Sequence, residues 1–271
     1  MSAKIIKGLV WIAAIFTISM LLFLVGFIFW NGIPSLKPEL FAWHYTTSNV
    51  SMMPAIISTI IIILLSLLIA APVGVFTSFY LVEYADRDSK LLPIIRLATD
   101  TLAAVPSIVY GLFGMLLFVI ELKWGYSHLA GIFTITIMIL PIIISSTEEA
   151  LRSVDDSLRM ASLGLGAGKL RTIFTVVLPV AMPGILSGII LAIGRIVGES
   201  AALLFTLGSA TNMFKGFMGS GRTLAVHMYV LSSEGFHVKE AYATATVLIF
   251  IVLLINSLST LLSRKLSSGG K

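Results

Sequence analysis

Apolar runs long enough to cross a membrane, separated by short polar segments, constrain the fold of this chain more than any other feature. The residues are 58% hydrophobic and only 11% charged, whereas soluble domains are roughly half apolar and about a quarter charged. About 20 consecutive apolar residues suffice for a transmembrane helix. We therefore predict an all-α integral membrane protein with six transmembrane helices. They are placed at about 9–30, 54–82, 91–120, 129–147, 182–207 and 241–262.

The positively charged side chains indicate how these spans are oriented. Twelve of the 18 Lys and Arg residues fall on one predicted side of the membrane if Arg96 is counted, and five fall on the other. Because positively charged loops are retained in the cytoplasm, both ends of the chain are predicted to be cytoplasmic. The predicted organisation is a first helix with an external loop (1–53), a transmembrane core (54–263) and a cytoplasmic tail (264–271).

The most polar part of the chain lies between the fourth and fifth predicted spans, at about 148–183. Eight charged residues lie between Glu148 and Arg171, and a charge at the bilayer centre costs about 2.5–3.5 kcal/mol on insertion scales. This segment is therefore predicted to lie outside the membrane. Ser153, followed three residues later by Asp156, is typical of a capping box that begins a helix.

We predict two short helices in this segment, joined by a glycine bend. Pro179 and Pro183 are expected to end the second helix. Apolar residues at helical spacing give each helix an apolar side. This pattern fits a docking surface for a partner protein and a helix pair lying on lipid equally well. The glycines are Gly164, Gly166 and Gly168, and the apolar positions are Leu158, Ala161, Leu165, Leu170, Ile173, Phe174 and Val177.

Two pairs of opposite charge lie within predicted spans. Arg195 and Glu199 are four residues apart, which places them on one face of a continuous helix. They are either a structural ion pair or part of a translocation path, in which a fixed cation offsets a passing anion. Arg96 and Asp100 have the same spacing near the inner end of the third span, where Arg96 can reach the interface. We place both, together with Ser107, among the candidate residues of the translocation path.

A proline near the middle of the third span predicts a broken helix. Pro106 removes a backbone donor, and the hydroxyl of Ser107 is expected to satisfy the freed carbonyl. Gly111 and Gly114 would allow another helix to approach closely. A broken helix at membrane depth either lines a path or is a kink that serves packing alone.

The polar segment resembles a known loop. Residues 160–167 read Met-Ala-Ser-Leu-Gly-Leu-Gly-Ala, and Leu178-Pro179 and Pro183-Gly184-Ile185 follow at matching offsets. This pattern is similar to the EAA loop of ABC importer permeases, although that family has glutamate at the position of Met160. The resemblance implies a type I (MetI-like) permease fold and a cytoplasmic ATPase that contacts the loop. The implied coupling residues are Met160, Ala161, Ser162, Gly166, Ala167, Thr172 and Pro179.

Two further stretches narrow the resemblance to one type of permease. Residues 105–114 and 194–206 resemble the phosphate-specific ABC importer permeases of the PstA type. The resemblance implies that Arg195 and Glu199 are translocation residues. It also implies a PstC-like permease, a PstB-like ATPase dimer that binds the ATP, and an external phosphate-binding protein. The expected location is the cytoplasmic (inner) membrane of a bacterium or archaeon.

Other classes of function have little support in the sequence. The chain has no cysteine and four scattered histidines, so we expect no metal site, no cofactor of its own and no catalytic residues. Its charge of +5 fits a membrane surface better than nucleic acid. Two alternatives stay open: a permease for another oxyanion, and a gradient-driven secondary transporter, which would not need an inner docking loop.

Overall fold

The computed structural model describes residues 2–86 and 89–268, and every regular element in this part is helical. Five helices are long and apolar enough to cross a membrane, and one bent helix pair can serve as a sixth span. The elements are α1 (Ser2–Gly32), α2 (Met53–Phe79), α3 (Leu91–Ala104), α4 (Ser107–Gly114), α5 (His128–Arg152), α6 (Asp156–Gly164), α7 (Lys169–Thr172), α8 (Leu178–Val197), α9 (Ala201–Thr206), α10 (Leu224–Glu234) and α11 (Val238–Ser268). π-helical turns extend three of them, at Tyr80–Tyr84, Met115–Glu121 and Ile173–Val177.

The third predicted span is present but sharply bent. α3 and α4 meet at an angle of 98°, because Val105 and Pro106 leave the helical conformation (ψ 132° and 141°). Proline disfavours the helical region for the residue before it. The break was therefore predicted correctly, and it divides this segment into two helices of different direction.

The fifth span differs from its prediction at both ends. A continuous helical segment runs from Lys169 to Val197, so the expectation that Pro179 and Pro183 end a helix was wrong. Pro179 lies in the first turn of α8, directly after a π-helical turn, where a missing N–H is tolerated. At the other end, α8 stops at Val197, about ten residues before the predicted end.

The core of the bundle lies where α2, α5 and α8 pack together. Ile135, Ile139 and Ile143 of α5 are fully buried in it. Glycines allow this close packing: a Cβ at Gly188 of α8 would lie only 2.4 Å from the Cβ of Ser146 on α5. α1 packs mainly against α11, near Gly32, and most of its side chains are exposed.

The two ends of α5 define the two ends of the molecule. At its beginning, the loop at 208–223 is attached by the His128 amide, which donates to the Gly219 carbonyl (3.0 Å). At its end, the chain continues into α6 and the predicted docking segment. α11 stays helical to Ser268. Residues 269–271 of the predicted tail and residues 87–88 of the predicted inner turn lie outside the described residues.

Candidate functional site

The first helix of the docking segment begins at Asp155 rather than Ser153. The Asp155 carboxylate accepts a hydrogen bond from the Ser157 amide (2.7 Å), and this bond holds the pKa of the carboxyl below its usual value. The Ser153 hydroxyl instead donates to the Ala150 carbonyl at the end of α5 (2.7 Å). The capping box predicted at Ser153 is therefore wrong, because Ser153 belongs to the last turn of the preceding helix.

The predicted glycine bend is confirmed at Gly166. Its φ of +83° lies in the left-handed region, which glycine adopts without steric cost. The bend brings α6 against α7, where the hydroxyls of Ser162 and Thr172 are 2.9 Å apart. The Ala167 amide also donates to the Ser162 carbonyl (3.2 Å). Two of the predicted coupling residues thus close the bend from opposite sides.

The predicted coupling residues divide between the surface and the interior of this segment. Met160 is 69% exposed and Leu165 is 91% exposed. Ala161 and Gly166 are also exposed, whereas Ser162 and Ala167 are half-buried and Thr172 is buried. Pro179 is exposed but lies beyond the bend, at the start of α8. The apolar side of α6 therefore lacks a partner among the described residues of this chain, as a docking surface requires.

Arg159 attaches α6 to the membrane bundle. Its guanidinium donates to the Leu151 and Val154 carbonyls (2.7 and 2.6 Å) and pairs with Glu83 and Asp156, both at 3.0 Å. Only 15% of the Arg159 side chain is exposed. Since Glu83 lies in the extension of α2 and Leu151 in α5, one side chain joins three elements.

A second cluster joins α3 to α5. Arg96 pairs with Glu148 (2.6 Å), which also pairs with Arg152 (2.7 Å). The predicted Arg96–Asp100 pair does not form, and Asp100 is exposed at the edge of a cavity of about 250 Å³ beside this cluster. The half-buried Glu148 on the facing helix is a better partner than the exposed Asp100 on the same helix, because a lower local dielectric strengthens the pair.

The broken helix is supported by Tyr110 rather than by Ser107. The Tyr110 hydroxyl donates to the Leu102 carbonyl (2.8 Å), which loses its usual helical partner at Pro106 and also accepts from the Val105 amide (3.1 Å). Ser107, the first residue of α4, is half-buried. The predicted close approach at the glycines is confirmed: a Cβ at Gly111 would lie 2.8 Å from the Cα of Ala202 on α9.

Arg195 and Glu199 do not share a helix face. α8 ends at Val197, and Glu199 lies in the break before α9, where its carboxylate accepts from the Ala202 amide (3.0 Å). Glu199 is 7% exposed. Arg195, in the last turn of α8, instead lines a cavity of about 480 Å³ between α5, α8 and α11. The structure therefore has no ion pair between Arg195 and Glu199. Glu199 instead caps the start of α9, and Arg195 lies beside a cavity.

Sequence reasoning identified Arg96 but missed its partner Glu148 and the pair formed by Arg159 and Glu83. Arg159 and Glu83 are 76 residues apart, and Arg96 and Glu148 are 52 apart. The only signal available was that each is a charged residue near the end of an apolar run. Such a position shows that a partner is needed without showing which one.

Comparison with known proteins places the chain in a family. Residues 70–269 match the family described as binding-protein-dependent transport system inner membrane component. A probable ABC transporter permease protein, YqgI of Bacillus subtilis, is 33% identical over 98% of this chain and 97% of its own length. The phosphate transport system permease protein PstA of Pasteurella multocida is 34% identical over 93% of this chain and 91% of its own.

Solved structures share the fold at lower identity. A chain of the MetNI methionine ABC transporter in an inward-facing conformation matches with a TM-score of 0.64 and 19% identity, over 79% of this chain and 94% of that one. A chain of a bacterial alginate ABC transporter, in complex with its alginate-bound periplasmic protein, matches with a TM-score of 0.67 and 14% identity, over 98% and 94%. The chain belongs to the family of binding-protein-dependent transport system inner membrane components and has the MetI-like fold of ABC importer permeases.

Proposed function

We propose that this chain is the PstA-type permease subunit of an ATP-driven phosphate importer. The observation that carries this proposal is the 34% identity to a phosphate permease over almost the whole of both chains. A PstC-like permease would supply the other half of the path, and an external phosphate-binding protein would deliver the substrate. Membership of a binding-protein-dependent family favours this ATP-driven process over a gradient-driven carrier.

The segment at 155–172 is proposed to contact a PstB-like ATPase dimer, which would bind and hydrolyse the ATP. Three features support this role: the apolar side of α6 is exposed, Gly166 closes the segment into a compact unit, and Arg159 attaches it to α2 and α5. A displaced α6 would therefore move the bundle with it. Both ends of the chain and this segment would be cytoplasmic.

Arg195 is proposed to be the fixed cation of the translocation path. A single guanidinium beside a cavity attracts an oxyanion, and one contact of this kind permits release. High-affinity selection would then belong to the external binding protein. Glu199 would act on the path indirectly, because it holds the start of α9 in place.

Reconstitution of the complex tests this function. The chain is purified with its co-assembling subunits, and ATP hydrolysis and phosphate uptake are measured as phosphate-binding protein is added. We expect both to rise. Arg195→Gln should lower uptake by about ten-fold or more with assembly unchanged, whereas Lys239→Gln, which removes an exposed cation from α11, should not. Import of sulfate or molybdate in place of phosphate would identify a permease for another oxyanion.

A further inference from the structure

A second polar side chain lines the cavity that contains Arg195. The walls of this cavity are formed by α5, α8 and α11, and the second polar residue is Asn256 on α11. The remaining lining residues are Ile142, Ile190, Leu191 and Gly194. Arg195 and Asn256 are thus the two polar residues of a cavity that is otherwise apolar.

Placing the side-chain amide of Asn256 in a membrane span costs free energy unless the amide has a hydrogen-bond partner. It lies in a candidate membrane span, Val238–Leu261, beside the exposed apolar residues Leu253, Leu254 and Leu258. Polar groups at membrane depth face a partner or a water-filled cavity. Among the described residues, neither the Asn256 amide nor the Arg195 guanidinium has a hydrogen-bond or ion-pair partner.

We propose that the Asn256 amide is a second contact for the oxyanion as it passes Arg195. This proposal rests on the function proposed above and adds a residue to its path. An amide N–H donates to an oxyanion without adding charge, so the pair would orient the anion without holding it as tightly as two cations would.

A second cavity adjoins the one at Arg195 and would extend the path of the anion. Leu191, which is exposed, borders a second cavity of about 360 Å³ between α5 and α8, nearer to the end of α5. Ser146 and Ser187 contribute hydroxyls to that second cavity. Glu149 also lines this cavity, and the Ser187 hydroxyl donates to the Pro183 carbonyl (2.9 Å). An anion moving from Arg195 and Asn256 toward the 155–172 segment would therefore pass Leu191 and enter a cavity that contains hydroxyls and one carboxylate.

Asn256 could instead form a hydrogen bond to the second permease, and the variants are chosen to separate these roles. Asn256→Leu removes the donor, and Asn256→Asp keeps the shape but offers Arg195 a carboxylate that competes with the anion. Ser257→Leu, at the neighbouring exposed position of α11, is the matched control. Each variant is purified with its partners, checked for assembly and basal ATP hydrolysis, and assayed for uptake of inorganic phosphate.

We expect uptake to fall several-fold in Asn256→Leu and about ten-fold or more in Asn256→Asp, with assembly and basal hydrolysis unchanged. Ser257→Leu should stay within about two-fold of the wild type. Arg195→Gln combined with Asn256→Leu should lower uptake by less than the product of the two single effects, because contacts to one anion are coupled.

The proposal is overturned if both Asn256 variants transport like the wild type, if uptake falls only in step with assembly, or if the two effects multiply in the double variant. If Asn256→Leu does not assemble, the uptake measured for the isosteric Asn256→Asp tests the proposal by the same criteria. Absence of phosphate uptake by the wild-type complex would refute the proposed function instead. Sulfate uptake by the same variants would then test the oxyanion contact on its own.

Discussion

Arg159 shows how one side chain can connect a surface helix to a membrane bundle. Its guanidinium uses several donors in one plane, toward two backbone carbonyls and two carboxylates. Lysine cannot reproduce this arrangement, because an ammonium is a single point charge on a flexible chain. The attachment of α6 to Glu83 and to the end of α5 therefore depends on arginine at this position.

We predict that Arg159→Lys lowers the free energy of unfolding by about 1.5–3 kcal/mol, the usual value for hydrogen bonds to charged groups, and weakens coupling of ATP hydrolysis to uptake. Thermal unfolding in detergent and limited proteolysis of the 155–172 segment provide the measurements. Arg171→Lys, on the exposed side of α7, is the control. Equal unfolding temperatures for the two variants would contradict this role for Arg159.

The buried His227 should make the stability of the protein depend on pH. Burial, followed by the nearby Arg222 guanidinium, lowers its pKa from 6.5 to about 3. The unfolded chain therefore binds the proton more readily, so stability is complete above about pH 6.5 and falls as the pH drops toward 3. By about pH 5 the loss should reach about 2 kcal/mol. Between pH 7.5 and 5, the unfolding temperature of the wild type should fall relative to that of His227→Phe, and a constant difference between the two would refute the assignment.

At the scale of elements, the contact of α4 with α9 depends on the absence of a side chain at Gly111. A Cβ at this position would lie 2.8 Å from the Ala202 Cα and 3.2 Å from the Ala201 carbonyl oxygen, and backbone atoms cannot move aside as a side chain can. This contact holds the broken third span against α9.

We predict that Gly111→Ala destabilises the protein by about 1–3 kcal/mol, the usual cost of inserting a methyl group into a packed interface. Gly26→Ala is the matched control, because a Cβ there meets no atom within 4 Å. The difference in unfolding temperature between the two variants measures the effect. If Gly26→Ala is as damaging as Gly111→Ala, loss of glycine rather than the α4–α9 contact would be responsible.

The elements predicted from sequence are those whose causes are local. Apolar runs located the spans, Pro106 located the break, and Gly166 located the bend, because each acts on its own backbone. Glu148 and Glu83, which pair with Arg96 and Arg159, could not be predicted as their partners, since each acid lies on another helix. The prediction that Arg195 and Glu199 share a helix face assumed a continuous helix. The helix ends at Val197, so the four-residue spacing does not bring the two side chains together.

At the scale of the whole molecule, the orientation in the membrane can be measured directly. The chain has no cysteine, so any single cysteine is a unique label. Met160 and Met218 are both exposed and belong to segments at opposite ends of α5.

We expect Met160→Cys to react with a membrane-impermeant maleimide only from the cytoplasmic side, and Met218→Cys only from the outer side. Labelling of intact cells and of inverted vesicles provides the measurement, and each variant is the control for the other. Labelling of Met160→Cys in intact cells would place the 155–172 segment on the wrong side for an ATPase and would refute the proposed function.

The 98° bend between α3 and α4 has a mechanical consequence. α3 is clamped to α5 through Arg96 and Glu148, and α4 is held against α9 at Gly111. The two helices are each held to another helix, and the non-helical Val105 and Pro106 join them as an elbow. We expect any relative displacement of those two anchorages during the transport cycle to be absorbed as rotation at this joint, with both helices keeping their length.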